Sequence, residues 1–487
     1  MSDAALLGAA LGLAAVALGG RVRSAGPSGS GARWARRGEL NVLAGRGPGR
    51  LRLGAVGRWP RRLVFAEPVQ SVAVVGPTQS GKTSALAIPA ILGWEGPVLA
   101  ASVKGDLLAA TVGWRRRCGR VWVFDPTGSS GERPAAWDPL AAARSWAGAR
   151  RVAADLTELA RSEGTTADGE FWYAMAAKLL APLLFAAASA DRPLADVLRW
   201  VDTQEVAEVL ELLERAGVDQ AIWAIQASWQ REERQRSSVY TTVEAVLEPL
   251  AGGAAGQGEA IDPDALLSGT NTVYLCAPAH DQRRLRPVFV AVVKAVLDAA
   301  FTRAARRGPL DPALLVVLDE AANIAPVAEL DGLAATCAGH GIALVTIWQD
   351  LAQLHARYGP RAPTVLNNHR ARLFLSGIAE PATLEHVRLL AGESEPAGRD
   401  WSGVRERAGR RPPVPRPLVP PEALRQLPGG EAVLLYGALP PARLRLVPWW
   451  SDRTLADRVG GTARDRRQAR CPIGEEPRCS GPPARRG

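Results

Sequence analysis

Residues 72–92 read VAVVGPTQSGKTSALAIPAIL, and this stretch decides the fold class. Its first four residues, Val72–Val75, are apolar and mostly β-branched, which predicts a buried strand. The next eight, Gly76–Thr83, have the spacing Gly-x-x-x-x-Gly-Lys-Thr, and the apolar residues that follow predict a helix. A strand that enters such a loop and leaves it as a helix is the P-loop arrangement. The stretch therefore predicts an α/β protein with a phosphate-binding loop.

The residue types of this loop fit the binding of ATP and Mg²⁺. Gly76 and Gly81 permit a backbone nest whose N–H groups face phosphate oxygens. Lys82 is expected to reach the β- and γ-phosphates, and Thr83 to ligate Mg²⁺ at the helix N-terminus. The predicted nucleotide-binding residues are Gly76, Pro77, Thr78, Gln79, Ser80, Gly81, Lys82, Thr83 and Ser84.

A pair of acids in the second half of the chain complements the loop. The apolar run Leu314–Leu318 predicts a strand that ends in Asp319 and Glu320. We expect Asp319 to share the Mg²⁺ shell with Thr83, and Glu320 to polarise the attacking water. Acids at a strand end are also common helix caps, which is the alternative interpretation. Two adjacent acids favour a hydrolase, which must activate water, over a P-loop kinase.

The predicted strand Ala343–Trp348 ends at Gln349. This position is at the carboxyl edge of the sheet, where doubly wound folds bind their ligands. Gln349 is therefore a candidate reporter of the γ-phosphate, and a cap of the next helix is the alternative. The predicted catalytic set is Lys82, Glu320 and Gln349, and the predicted metal ligands are Thr83 and Asp319.

The whole chain fits a globular protein of two or three domains. It has 487 residues, of which 47% are hydrophobic and 22% charged. Five cysteines without a C-x-x-C pair argue against a disulfide scaffold or a structural zinc site. Helical periodicity over residues 155–267 predicts an inserted all-α domain. Apolar runs predict eight strands of a mostly parallel sheet: Val72–Val75, Val98–Val103, Val121–Phe124, Thr272–Cys276, Leu314–Leu318, Ala343–Trp348, Leu373–Ser376 and Ala432–Tyr436.

The N-terminus is expected to form a membrane anchor. Residues 4–20 are uncharged and mostly Ala, Leu and Gly, about 25 Å long as a helix against a hydrocarbon core of about 30 Å. A packed or frayed apolar N-terminus is the alternative. Eleven arginines between residues 21 and 62, against the single acid Glu39, predict that the remainder lies on the cytoplasmic side. This basic segment suits anionic lipids or nucleic acid, or is a solvated linker.

Aromatic and basic residues alternate within the predicted helical insertion. They are Trp223, Trp229, Arg231, Arg234 and Arg236. Such a set suits single-stranded DNA, which binds by base stacking and phosphate pairing. Helical spacing explains the same pattern as an amphipathic packing face, which is the favoured alternative.

Beyond these motifs, the chain resembles the type IV secretion coupling proteins, the conjugative DNA-transfer ATPases. The resemblance extends from Leu51 to Trp449 and includes GPTQSGKT at 76–83, FWYAMAAKLL at 171–180 and NTVYLCAP at 271–278. Its most distinctive part is LDEAANI at 318–324 together with IWQDLAQL at 347–354. The resemblance implies a RecA-like motor with an inserted all-α domain, assembled as a homo-hexamer at the bacterial inner membrane. It also implies relaxase-bound single-stranded DNA and secretion-channel proteins as partners.

Two features depart from the family pattern. The family usually has two N-terminal membrane helices, whereas this chain shows one candidate. Many members also carry Arg-x-Arg-Gly before the strand that ends in Gln, where this chain reads CAGHG at 337–341. A trans-acting arginine is then expected elsewhere, and Arg372 is the candidate.

These observations predict an anchored ATPase that translocates DNA in conjugation. A chromosome-partitioning translocase of double-stranded DNA and an ATP-gated recruitment scaffold without pumping are the alternatives. The predicted parts are an anchor (1–20), a basic juxtamembrane linker (21–62), the first ATPase segment (63–154), the all-α insertion (155–267), the second ATPase segment (268–450) and a disordered tail (451–487).

Overall fold

An eleven-stranded sheet organises the computed structural model, which describes residues 31–57, 61–103, 105–160, 167–253, 258–278, 280–394 and 415–460. Two short two-stranded ladders accompany it. The strands are β1 (Arg52–Val56), β2 (Arg62–Phe65), β3 (Val72–Val75), β4 (Val98–Ser102), β5 (Val121–Phe124), β6 (Ala135–Ala136), β7 (Glu259–Ala260), β8 (Thr272–Cys276), β9 (Leu314–Leu318), β10 (Ile342–Trp348), β11 (Ala371–Leu375), β12 (Glu393–Ser394), β13 (Arg416–Pro417), β14 (Glu431–Tyr436) and β15 (Ala442–Arg445).

The large sheet has a parallel part and an antiparallel part. Its order is β2-β1-β15-β14-β11-β3-β10-β9-β4-β8-β5. The seven strands from β11 to β5 are parallel, whereas β14, β15, β1 and β2 continue the sheet in antiparallel pairs. The strand that leads into the P-loop, β3, therefore lies inside the sheet with parallel neighbours on both sides.

The parallel strands are apolar throughout because both faces of the sheet are covered. In β3, Val72 and Val74 belong to the hydrophobic core on one face, and Ala73 and Val75 to the core on the other. All four residues of β3 are at most 3% exposed. Burial on both faces fixes the register of β3 and hence the position of the loop that follows it.

Helices cover both faces and form a separate helical region. They are α1 (Thr83–Gly93, whose first turn is a π-helix), α2 (Gly105–Cys118), α3 (Trp146–Ala160), α4 (Ala167–Ser189), α5 (Leu194–Thr203), α6 (Ala207–Ala216), α7 (Asp219–Trp229), α8 (Glu233–Leu247), α9 (Pro263–Leu266), α10 (Gln282–Arg307), α11 (Leu330–Thr336), α12 (Leu351–Tyr358), α13 (Ala362–Asn367), α14 (Pro381–Ala391), α15 (Pro421–Arg425) and α16 (Arg453–Val459). Short 3₁₀ segments lie at Glu39–Leu43, Pro139–Arg144, Glu248–Gly253, Cys337–His340, Gly359–Arg361 and Trp449–Ser451.

Helices α3 to α8 follow one another without a strand and pack around α4. Within the described ranges, the span Gly169–Ser189 of α4 is the one helix long and apolar enough to cross a membrane. Most of that span is buried inside the protein, which is typical of a core helix. The predicted anchor, residues 1–20, lies outside the described residues, as do residues 461–487 of the predicted disordered tail (451–487). The tail prediction is wrong for residues 453–459, because they form α16, in which Leu455 is buried.

The structure confirms all eight predicted strands, with shifts of at most two residues at their ends. Three strands of the large sheet were not predicted, namely β1, β2 and β15, and neither were the four short strands of the two-stranded ladders, β6, β7, β12 and β13. Strand β1 lies within residues 21–62, which we predicted as a linker, and it pairs with β15 in the sheet. The linker prediction is therefore wrong for residues 52–56, because they are a buried strand of the sheet.

A buried arginine joins α2 to the parallel part of the sheet. Arg115 has no exposed surface. Its Nε donates to the Thr272 hydroxyl at 2.7 Å, and its Nη atoms donate to the Trp94 and Gly96 carbonyls at 2.9 and 2.8 Å. The guanidinium thus satisfies backbone groups of chain segments that are far apart in sequence.

We expect Arg115→Met to lower the free energy of unfolding by about 3 kcal/mol, because it leaves several buried carbonyls without a donor. Arg117→Met is the matched control, since Arg117 is exposed on the same helix, and we expect it to change stability by less than about 0.5 kcal/mol. Urea denaturation followed by circular dichroism measures both. Equal stability of the two variants would contradict the structural role of Arg115.

Candidate active site

The predicted site residues meet at the carboxyl edge of the parallel strands. The P-loop follows β3, the acids follow β9 and Gln349 follows β10, which lies between the other two strands. In doubly wound sheets, ligands bind at this edge. The sheet order therefore brings together three motifs that are far apart in the sequence.

The close approach of neighbouring side chains explains why residue 76 is a glycine. A Cβ added there would lie 2.8 Å from Leu375 Cβ and 2.8 Å from Ser80 Oγ, which is closer than real Cβ contacts. The Gly76 N–H also donates to the Trp348 carbonyl at 3.1 Å, so the start of the loop is attached to β10. Gly81 has a φ of +92°, a conformation that favours glycine. These two positions give the loop its cradle shape.

Lys82 lies folded against the loop. The residue is only 8% exposed, and its Nζ donates to the Pro77 carbonyl at 2.7 Å and to the Gly76 carbonyl. The ammonium group is therefore held beside the backbone that the sequence predicts to surround phosphate. A phosphate in the cradle would compete with these two carbonyls for the same donors.

Asp319 and Thr83 form the centre of the site. The Thr83 hydroxyl donates to Asp319 Oδ2 at 3.1 Å, and the Ser102 hydroxyl donates to the same oxygen at 3.2 Å. Asp319 is 2% exposed, and burial raises the pKa of its carboxyl, an effect that the hydrogen bond from Thr83 opposes. Hydroxyl and carboxylate oxygens are the ligands that Mg²⁺ prefers. The donor set fits a magnesium ion at this position.

Glu320 follows Asp319 in a turn of unusual backbone conformation. Its φ is +59°, which costs energy for a residue with a side chain. The turn is held by the Asn323 N–H, which donates to the Glu320 carbonyl at 2.8 Å, and by the Ala321 N–H, which donates to the Ile347 carbonyl of β10 at 3.1 Å. The half-buried Glu320 thus lies beside the buried carboxylate rather than in a regular element.

Gln349 lies directly after the residue of β10 that pairs with Val75, so it is adjacent to the start of the P-loop. Its backbone N–H donates to Gln353 Oε1 at 3.0 Å. The cap of the following helix is Asp350, whose Oδ1 accepts from the Gln353 N–H at 2.9 Å. The capping alternative therefore applies to Asp350 and not to the side chain of Gln349.

Two polar residues near the site were not predicted. Ser102 donates to Asp319, and the charge of Asp106 contributes to the raised pKa of the Asp319 carboxyl. Ser102 is the last residue of β4, which pairs with β9, and Asp106 lies in the first turn of α2, the helix that follows β4. The available signal was a serine at the end of a predicted strand, but the neighbouring strand cannot be known from the sequence alone.

Arg372, the candidate trans-acting arginine, does not contact the P-loop of its own chain through a hydrogen bond or ion pair among the described residues. It is in β11, opposite Ala73. Its side chain is half-buried, and burial lowers the pKa of its guanidinium. Its Nε is buried without a hydrogen-bond partner among the residues described.

The five residues considered for DNA contact differ in their surroundings and exposure. Trp229 packs against the helical core, and its indole N–H donates to the Tyr240 hydroxyl at 3.0 Å. Arg236 donates to the Trp229 carbonyl at 3.2 Å. Trp223 is 63% exposed. The packing interpretation therefore describes Trp229 but not Trp223.

Comparison with known families gives a match over most of the chain. A family model described as Type IV secretory system Conjugative DNA transfer matches residues 52–469. The conjugal transfer protein TraG of Escherichia coli is 25% identical over 401 residues, covering 74% of this chain and 62% of TraG. Protein VirD4 of Rhizobium rhizogenes is 25% identical over 437 residues, covering 83% of this chain and 60% of VirD4. The chain thus spans about 60% of the length of these relatives.

Solved structures share the fold. The plasmid coupling protein TrwB in complex with ADP and Mg²⁺ has a TM-score of 0.66 at 19% identity, with 86% of this chain and 94% of that chain covered. A trigonal form of TrwBdeltaN70 in complex with sulphate has a TM-score of 0.65 at 19% identity, with 86% and 92% covered. This similarity confirms the predicted fold class, a RecA-like α/β fold with a mostly parallel sheet.

We expect Gly76→Ala to weaken binding of Mg-ADP by about tenfold or more, because the added methyl group displaces the loop from Leu375 and Ser80. Gly93→Ala is the matched control at the other end of α1, where an added Cβ meets nothing within 4 Å. Isothermal titration calorimetry measures both affinities. If Gly76→Ala binds as tightly as Gly93→Ala, the cradle is not the nucleotide site.

Proposed function

The chain belongs to the type IV secretory system conjugative DNA transfer family, and from this we propose that it is a coupling protein that hydrolyses ATP to move DNA. The observation that carries the proposal is the hydrogen bond between Thr83 and the buried Asp319, beside Glu320. It joins the P-loop to the acidic pair in the arrangement that an ATP hydrolase requires. The chain spans only part of its relatives, so the activity and partners given below are all part of this proposal.

In the proposed mechanism, Lys82 exchanges the carbonyls of Gly76 and Pro77 for the β- and γ-phosphate oxygens of ATP. Thr83 and Asp319 hold Mg²⁺, which when bound neutralises charge on those oxygens. Glu320 polarises the attacking water, because it lies next to the metal ligand and is half-buried. The structures of TrwB in complex with ADP and Mg²⁺, and with an ATP analogue, support this choice of ligands.

We assign Gln349 the role of sensing the γ-phosphate. It follows β10, whose Trp348 carbonyl accepts from the first N–H of the P-loop. A shift of the loop on hydrolysis would therefore be passed to β10 and to the helix that begins after Asp350. In the proposed homo-hexamer, Arg372 is our candidate for the arginine supplied by a neighbouring copy, because its buried Nε has no partner among the residues described.

The proposed substrate is DNA, single-stranded and bound to a relaxase, delivered to the proteins of a secretion channel. We propose that residues 1–20 anchor the chain in the inner membrane, with the ATPase on the cytoplasmic side. The arginines after the anchor support this orientation.

We expect Glu320→Gln to keep Mg-ATP binding through Thr83 and Asp319 but to slow hydrolysis by about 10²-fold or more. Lys82→Ala should lose both Mg-ATP binding and hydrolysis, because it removes the charge that neutralises the phosphates. Glu329→Gln, an exposed acid nine residues further on, is the matched control and should hydrolyse ATP like the parent. Filter binding and phosphate release measure the two properties. Normal hydrolysis by Glu320→Gln would assign water activation to another residue.

Membrane fractionation tests whether residues 1–20 form an anchor. We expect the full-length chain to remain with membranes in high salt, and a chain without residues 1–20 to bind them only at low salt. The arginines of residues 21–62 then supply the remaining attraction, about 1 kcal/mol each near an anionic surface. Immunoblotting of salt-washed membranes measures this. Removal of the full-length chain by salt alone would show that residues 4–20 do not span the bilayer.

A further inference from the structure

A small basic pocket lies at the far end of the helix that begins at the P-loop. It has a volume of about 110 Å³. Its walls come from the segment 46–52, from the C-terminal end of α1, and from α16 near the end of the described chain. The residues of α1 that line it, Pro89, Ala90 and Gly93, lie about 9 to 15 Å along the helix axis from Thr83. It is therefore separate from the candidate active site.

The charges in the pocket are mostly positive. Among the described residues that line it, four are arginines, namely Arg46, Arg50, Arg52 and Arg458, and one is an exposed acid, Glu95. The remaining wall is largely apolar and includes Phe65, Pro89, Ala90 and Leu455. Four guanidinium groups at one small cavity repel one another unless an anion or acidic partners compensate them.

Two of the four arginines, Arg50 and Arg52, have hydrogen-bond or ion-pair partners within the protein. Arg50 donates to three backbone carbonyls, those of Ala66, Ala44 and Val42, at 2.8, 3.0 and 2.8 Å. Arg52 forms an ion pair with Asp452 at 2.9 Å and donates to the Val447 carbonyl at 2.7 Å. These contacts hold the segment against the sheet and against α16.

Some N–H groups of Arg52 and Arg46 have no hydrogen-bond partner among the described residues. The side chain of Arg52 is only 6% exposed, and its Nε is buried without a hydrogen-bond partner in the described part of the chain. Arg46 is exposed and has no hydrogen bond or ion pair with another described residue. Burial lowers the pKa of the Arg52 guanidinium, and the nearby charge of Arg46 lowers it further, whereas Asp452 opposes both. An anion between Arg46 and Arg52 would relieve this repulsion.

The fourth arginine closes the pocket from the other side. Arg458 donates to the Leu92 carbonyl, and its guanidinium lies 4.6 Å from the centre of the Trp114 ring. These two contacts fix its position but leave other N–H groups of the guanidinium for a ligand. Arg46 and Arg458 therefore face one cavity from segments more than 400 residues apart.

We propose that this pocket binds a phosphate group, either as the free anion or as the headgroup phosphate of an anionic lipid. Guanidinium groups bind phosphate oxygens in bidentate fashion, which is why arginine suits such a site. The cavity volume of about 110 Å³ is several times the roughly 10–15 Å³ that one water molecule requires, so the cavity accommodates a single tetrahedral group. The site does not depend on the chemistry of the P-loop.

The test uses the full-length chain with Lys82→Ala in every sample, so that the P-loop lacks its phosphate-binding cation. Inorganic phosphate is titrated calorimetrically into Arg46→Gln and into the matched control Arg37→Gln, at constant ionic strength. Arg37 is also exposed, lies in the same basic segment and gives the same change of net charge. Neither arginine forms a hydrogen bond or ion pair with another described residue and both are exposed, so both variants should unfold at the same temperature.

We expect phosphate to bind Arg46→Gln about tenfold more weakly than Arg37→Gln, the effect of losing one charged hydrogen bond. Equal affinities, or no phosphate binding by Arg37→Gln, would overturn the proposal. A second arm measures binding to phosphatidylcholine vesicles that contain phosphatidic acid. Weaker vesicle binding by Arg46→Gln identifies the lipid headgroup as the ligand, whereas equal vesicle binding together with the tenfold difference for phosphate identifies the free anion.

Discussion

The hydrogen bond from the Thr83 hydroxyl to Asp319 Oδ2 joins two residues that are 236 positions apart. It forms because β3 and β9 are parallel, are separated only by β10, and end at the same edge of the sheet. Burial raises the pKa of the Asp319 carboxyl, so its charged form depends on the hydroxyl donors beside it or on a cation. The sheet order thus places a buried carboxylate at the point where the P-loop begins its helix, which is where we propose that Mg²⁺ binds.

The sequence predicts the parallel part of the fold well, because strands buried on both faces are continuous apolar runs. Strand β9, read from LLVVL, needs no tertiary information. Strands β1 and β15 contain arginines, in RLGAV and ARLR, and β15 alternates between buried and exposed residues. Short, mixed segments of this kind do not stand out from loops, so the antiparallel extension of the sheet was largely missed.

The P-loop was predicted because its residues are contiguous, and the acidic pair because it ends an apolar strand. Ser102 was missed because its contact with Asp319 depends on the pairing of β4 with β9, which is a property of the sheet order. The packing of Trp229 against Tyr240 was likewise not decided by spacing, since it depends on how α7 and α8 turn towards each other. Local motifs are therefore visible in the sequence, and contacts between distant strands or helices are not.

The most direct measurement of a DNA-coupled ATPase is its turnover with and without DNA. A chain lacking residues 1–20 would be assayed for ATP hydrolysis alone, with single-stranded DNA and with double-stranded DNA of the same length. We expect single-stranded DNA to raise the rate, and double-stranded DNA to raise it less. A rate unaffected by either DNA would contradict a motor and favour a scaffold, and stimulation by double-stranded DNA alone would contradict transfer of a single strand.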